Sequence, residues 1–339
     1  MQSVLSLVTN DYQVIAANIR CIAAHAEITR LLGDIPFTTF KGYASACYYP
    51  MPEKRMMGDV DFFVAADYYR AAKERMLDAG WSKCDNTSMN EHHEVFKKQH
   101  VTFELHSKIN GVPKQANDIT TEFSSAEAEE RIKTLFADLI DTSITIETQQ
   151  GLIQIPDEFH HGLIMLLHVA HHMIECTGIG LRHLCDWAVY VNRTDLEKYR
   201  EKLEGVGLWT FARQLTAVSS VYLGLPKKQW AGEWSEQFLE SLIEDFLISG
   251  NFGQKEPGRR SALVLAESSY VEYVKRLFPI SRKHPVLLPF AMVFVPFFLI
   301  NRIFKGKSKL VKLSTMTEAR KRVALYDQFQ LFQAGNQRE

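Results

Sequence analysis

The spacing of apolar residues divides the chain into stretches of different period. Residues 3–32 place them at helical intervals, which predicts one or two helices ending near Gly33. "IPFTTFKG" (35–42) reads as a short strand and a glycine turn, and "YASACYYPMPEKR" as a short helix and a loop marked by Pro50 and Pro52. "DVDFFV" (59–64) reads as a buried strand, and "ADYYRAAKERMLDAGW" as an amphipathic helix closed by Gly80. Two more strands, "HHEVFKKQ" and "VTFELHSKI", flank a tight polar turn at His100. A helical stretch near 124–140 follows. "SITIETQQGLIQIP" then predicts a hairpin that turns near Gln150 and Gly151 and ends at Pro156.

From 157 onward the period is helical almost without break, through "EFHHGLIMLLHVAHHMIE", "GLRHLCDWAVYVNR", "LEKYREKLEGVG" and "LWTFARQLTAVSSVYLG". The expected fold is α+β, a small mixed-sheet domain followed by an α-helical domain. The expected parts are N-terminal helices (1–33), a sheet domain (34–156), an α-helical domain (157–275) and a basic, hydrophobic helical tail (276–339).

Composition adds little about fold, since 46% hydrophobic and 23% charged residues are ordinary for a globular chain. Charge adds more. Residues 276–339 hold 12 Lys and Arg against 3 Asp and Glu, which leaves the first 275 residues at about −10. An acidic body argues against general nucleic-acid binding, which needs positive charge around the working groove. Five scattered cysteines without a CxxC pair fit reduced thiols, and the first twenty residues lack the basic start of a signal peptide. A cytoplasmic location is expected.

"VLLPFAMVFVPFFLI" (286–300) is uncharged, interrupted by Pro289 and Pro296, and shorter than the roughly 20 residues needed to span a bilayer. With the lysine-rich "NRIFKGKSKLVK" after it, 286–312 reads either as a segment on the anionic inner face of a membrane or as a buried or interfacial helix. The prolines suit a bent packing helix, so burial is the expectation.

The chemistry concentrates in "RMMGDVDFFV". Strand geometry sends Asp59 and Asp61 to one face, and two carboxylates in an apolar run need a cationic neighbour. In "VTFELH", Glu104 and His106 share a face on another strand. Three carboxylates on adjacent strands can clamp divalent ions, and oxygen ligands favour Mg²⁺ or Mn²⁺. Gly58 leaves room for a phosphate or metal beside the backbone. The strand–Gly42–helix junction offers an anion site, with Lys41 and Arg55 as partners for a triphosphate.

On the helical side, His161, His168 and His172 form one stripe with His171 alongside, and Arg182 and Asp186 stand at i and i+4. These histidines are core residues, zinc ligands or contacts to a base or acceptor. Arg182 and Asp186 form a helical ion pair or reach the site. His92, His93 and His106 lie nearer the carboxylates, and His106 could position an acceptor. No HD dipeptide occurs, which weakens a phosphohydrolase reading.

"FKGYASACYYPMPEKRMMGDVDFFV", "HHEVF", "FELH" and "LIMLLHVAHHMIECTGIGLRHLCDWAVYV" together resemble a bacterial family of uncharacterised nucleotidyltransferases within the DNA polymerase β-like superfamily, over roughly residues 35–225. The resemblance implies metal binding and catalysis by Asp59, Asp61 and Glu104. It implies a nucleotide-binding group of Lys41, Gly42, Arg55, Gly58 and Arg182, with His93, His106, His172 and Asp186 as contacts to the acceptor or supports. The chain has Lys-Gly where the superfamily has Gly-Ser, and a longer spacing to the aspartates. The expected reaction is transfer of a nucleoside monophosphate from an NTP, with Mg²⁺ or Mn²⁺, to a small-molecule, glycan or protein acceptor with release of pyrophosphate. The alternatives are a DxD glycosyltransferase using a nucleotide sugar and a non-catalytic nucleotide-binding or membrane-associated protein.

Overall fold

A computed structural model describes residues 2–84, 93–109, 111–113, 125–174, 178–249, 284–304, 321–322 and 324–333, with the single positions 274, 278 and 280. The chain opens with one long helix, α1 (Gln2–Leu32), whose buried Cys21, Ile22, Ile28 and Leu32 follow the helical period read from the sequence. Pro36 lies just beyond the helix end, and Arg75 binds both the Leu31 carbonyl and Asp34 there.

The sheet has five strands: β1 (Phe37–Phe40), β2 (Asp59–Val64), β3 (Ser82–Lys83), β4 (His93–Lys98) and β5 (Val101–His106). Their order is β1-β2-β5-β4-β3, and β2 and β5 run parallel while every other pair is antiparallel. The expected mixed sheet is therefore present, within an α+β fold. A five-residue helix, α2 (Gly42–Ala46), follows β1, and α3 (Tyr69–Asp78) follows β2. Gly80, at φ +81°, supplies the left-handed turn that ends α3.

Register determines what the sheet does. Asp61 sits opposite both Phe40 and Glu104, and His93 sits opposite His106. Alternation sends Val60, Phe62, Phe103, Leu105 and Phe96 to the other face. There they join Ile28 and Leu32 of α1 and Met76 of α3 in one apolar cluster. Each fully buried Phe contributes about 1.5–3 kcal/mol. One face is core, and the opposite face carries the polar residues.

After helix α4 (Ser125–Leu135), hairpin strands β6 (Ile144–Thr148) and β7 (Gly151–Ile155) pair antiparallel. The hairpin is tied to the sheet by the Thr39 hydroxyl donating to Gln154 O at 2.5 Å. Helices α5 (Glu158–Ile174), α6 (Leu181–Arg193), α7 (Arg200–Gly205), α8 (Trp209–Tyr222) and α9 (Glu236–Ser249) follow. They bury Leu166, Ala170, Trp187, Tyr190, Phe211 and Phe246 in a second cluster, which Phe329 and Phe332 complete from the far end of the chain.

The apolar run near the C-terminus forms α10 (Leu288–Phe304). Burial against the domain or in an interface was the expectation, and within the single chain much of the helix is open. Val295 is buried, but Phe290, Val293, Phe294 and Phe297 are each more than 60% exposed. An uncharged run has no polar face to mark which side meets solvent, so its sequence could not reveal this. Among the described residues, no helix is long and apolar enough to cross a membrane. The lysines at 305, 307, 309 and 312 lie outside the described residues, as does His92.

Candidate active site

The polar sheet face gathers its charged groups around Asp61, which is 1% exposed. Its Oδ1 accepts from Lys41 Nζ at 2.7 Å and faces His106 Nε2 at 3.0 Å. The same His106 nitrogen lies 3.5 Å from Glu104 Oε2, and His93 Nε2 lies 3.8 Å from it. The His93 and His106 rings stack at 5.0 Å, and Phe40 closes on His106 edge-on at 4.9 Å. The cationic neighbour that two buried carboxylates demand is present in the chain itself.

These contacts shift the titrations in a consistent way. Burial works to raise the Asp61 carboxyl, but Lys41 and the His106 hydrogen bond outweigh it and hold the group well below the usual carboxylate range. Burial would discharge Lys41 and His106, and Asp61 reverses that, so both are raised. Asp59 makes no ion pair within 4 Å among the described residues, and Lys41 acts on it only at longer range. Burial first, then the charges of Asp61 and Glu104, push its carboxyl upward. His93 is lowered, chiefly by burial.

The Lys41–Gly42 turn aims the lysine. Lys41 takes φ 58° and Gly42 φ +29°, a left-handed pair that costs a non-glycine residue about 1–3 kcal/mol. A Cβ on Gly42 would lie 2.6 Å from His25 Nε2, because buried His25 fills the space under the turn. The same nitrogen receives the Tyr43 N–H at 3.4 Å. Helix α2 has only five residues, and one of its leading N–H groups is thus engaged by His25. Beside Gly58 a Cβ would meet nothing within 4 Å.

Arg55 departs from its expected role. Its Nε and Nη2 make a bidentate pair with Asp186 at 2.8 and 2.6 Å, and Nη1 donates to the Gly42 and Met56 carbonyls. Tyr49 adds a hydrogen bond to Asp186 at 2.8 Å. Four of the five N–H donors of this buried guanidinium are thus engaged within the chain, two of them on Asp186. Asp186 is equally committed, so the anticipated Arg182–Asp186 helical pair is replaced by a clamp between the loop before β2 and α6. Arg182 stays close by without an acidic partner at bonding distance. Its Nη1 reaches Met56 O at 3.4 Å, its buried Nε has no hydrogen-bond partner among the described residues, and burial followed by the Arg55 charge lowers its pKa.

The helical histidines divide. His160 binds Asp157 at 3.0 Å and the Leu135 carbonyl at 2.8 Å, as a core histidine does. His161 is buried against Tyr48, ring to ring at 5.2 Å. His168, His172 and His183 cluster at ring separations of 4.5 and 5.4 Å. His168 and His172 lie within the electrostatic reach of Lys41, and burial lowers both. His168 and His172 of α5 thus lie within electrostatic reach of the Lys41 turn, and Arg182 of α6 within reach of Asp59.

Residues 2–224 match a family described as "Uncharacterised nucleotidyltransferase". The chain belongs to this family. No curated protein and no solved structure matches it. In this nucleotidyltransferase the match takes in the sheet, the Lys41 turn and helices α5 to α8.

Nucleotidyltransferase chemistry calls for a divalent ion. Asp59, Asp61 and Glu104 share the polar sheet face, and the charges of Asp61 and Glu104 add to burial in raising Asp59, but among the described residues the three carboxylates do not bring their oxygens within 4.8 Å of one another. A second donor group comes from the structure alone. Among the described residues, His93, Glu104 and His106 each offer one ligand atom within 4.8 Å of the others. By contrast, the α5 histidines form no such group among the described residues.

Three supporting residues of this nucleotidyltransferase escaped sequence reasoning. His25 props the Lys41 turn, Asn18 holds the loop before β2 through Glu53 O and Met57 N, and Tyr49 buttresses Asp186. The available signal was a polar residue set among small apolar ones, as in "AANIRCIAAHAE".

Proposed function

We propose that the protein is a metal-dependent nucleotidyltransferase that moves a nucleoside monophosphate from an NTP to an acceptor and releases pyrophosphate. Asp59, Asp61 and Glu104 would hold Mg²⁺ or Mn²⁺, and the ion supplies Lewis acidity and offsets charge on the phosphates. The acceptor oxygen attacks the α-phosphorus, its proton passes to Glu104, and the α–β bridging P–O bond breaks toward pyrophosphate. Lys41 and Arg182 meet the charge of the departing phosphates, Lys41 by exchanging Asp61 for a phosphate oxygen. The α5 histidines, which feel the charge of Lys41, would meet a base or acceptor, with His172 as a contact. His106 orients Asp61, and Asp186 acts only through Arg55.

The observation that carries the reading is the convergence of Asp61 and Glu104 on one atom, His106 Nε2, at 3.0 and 3.5 Å, in a chain of this family. The test is pyrophosphate release from each of the four NTPs with Mg²⁺ and a metabolite extract. The wild-type protein should release it and Asp61→Asn should not. Nucleoside diphosphate release from a nucleotide sugar would instead mean glycosyl transfer.

The exposed Phe290, Val293, Phe294 and Phe297 favour one addition, peripheral contact of 286–312 with an anionic bilayer from the cytoplasmic side. Sedimentation with phosphatidylserine vesicles tests it. Loss of sedimentation in Phe294→Asp/Phe297→Asp supports the contact, and equal sedimentation refutes it.

A further inference from the structure

The group formed by His93, Glu104 and His106 differs in kind from the three-carboxylate set. It consists of two imidazoles and one carboxylate, rooted on adjacent central strands at paired positions. Its nitrogen–oxygen separations are 3.5 and 3.8 Å. A tetrahedral ion with bonds of about 2.0–2.1 Å spaces its ligands by about 3.3 Å. The donors therefore stand within a small rotamer adjustment of a ligand shell before any ion arrives. Exposure is graded in a way that suits entry of an ion. The side chains of His93 and Glu104 are 15% and 22% exposed, and that of His106 is 7%.

We infer that His93, Glu104 and His106 form a second cation position that selects a first-row transition metal, such as Zn²⁺, Mn²⁺ or Co²⁺, over Mg²⁺. The selection rests on donor chemistry. Imidazole nitrogen suits borderline ions, whereas Mg²⁺ keeps to oxygen and water. Glu104 belongs to both sets, so the two positions share a carboxylate. His106 Nε2 gives up its contact with Asp61 Oδ1 to the ion, and Asp61 keeps Lys41 at 2.7 Å. This position goes beyond the proposed reaction and does not depend on it.

The test uses Co²⁺, whose visible absorption reports nitrogen ligation, titrated into the full-length protein without nucleotide. Wild type should bind Co²⁺ with visible bands that survive a large excess of Mg²⁺. His93→Ala, at the more exposed of the two histidines, should weaken binding at least tenfold. His93→Asp should keep binding with altered bands, which separates lost ligation from misfolding. Absence of binding in wild type overturns the inference, as does binding that His93→Ala leaves unchanged and Asp59→Asn removes. Mg²⁺-dependent pyrophosphate release is measured on the same samples. Its persistence when cobalt binding fails would leave the proposed function intact.

Discussion

The Arg55–Asp186 clamp yields a prediction that separates packing from catalysis. Both side chains are nearly inaccessible, at 7% and 5% exposure, and the contact is bidentate. Removing one partner strands the other charge, and for buried pairs that costs about 3–5 kcal/mol. In Asp186→Asn the amide oxygen still accepts from Arg55 Nε and Tyr49, but Nη2 meets an NH2 donor in place of an acceptor and the buried guanidinium loses its counter-charge. A loss of about 3 kcal/mol lowers the melting temperature by roughly 6–12 °C for a chain of this size class. Removing both charges together, as Arg55→Met/Asp186→Leu, should recover most of that loss, because an apolar pair needs no desolvation of charge. Calorimetry on wild type, Arg55→Met, Asp186→Leu and the double variant measures the cycle, with Asp186→Asn alongside. Single variants within about 0.5 kcal/mol of wild type would refute the reasoning, since that is the range of surface substitutions. So would an Arg55→Lys variant of unchanged stability and raised NTP KM, which would return Arg55 to the triphosphate.

Other outcomes follow from the same contacts. Arg182→Ala should raise the KM for NTP with little change in melting temperature, because its Nε has no partner to lose among the described residues. Gly42→Ala should destabilise by more than about 1 kcal/mol, through positive φ and the 2.6 Å approach to His25, and adding His25→Ala should relieve part of it in denaturant titrations. Asp157→Asn should cost more at pH 5 than at pH 9, read from melting temperatures. Burial opposes but Asp157 raises the His160 pKa, so that contribution is present at low pH and fades as pH rises through the folded value. Asp157 is lowered to about 2, so its share is present above the ordinary carboxylate range and fades only as pH falls toward that value. The helix-cap bond from the His160 N–H is kept at both pH values, because the amide oxygen of the substituted side chain accepts it as well.

Much of the sheet was legible because period and register carry the same information. Alternation in "DVDFFV" and "VTFELH" put the carboxylates on one face, and the ladder places Asp61 beside Glu104 as that alternation implies. Glycine also announced the turn at 42, but nothing in "FKG" says that the lysine shares the left-handed backbone or points back at Asp61. Arg55 and Asp186 lie 131 residues apart, and a pair so distant has no local pattern, so Arg55 read as a free phosphate ligand. His93 failed to signal as a ligand for a similar reason. It meets Glu104 and His106 only across the β4–β5 ladder. In α10, apolar residues on every side left no stripe to distinguish the exposed face.

The fate of the NTP phosphorus tests the central claim most directly. With α-labelled NTP, Mg²⁺ and the acceptor source, label should appear in a new acceptor-linked product in equal amount to pyrophosphate, and Asp61→Asn should produce neither. Release of inorganic phosphate alone, or product formation undiminished in Asp61→Asn, would contradict it.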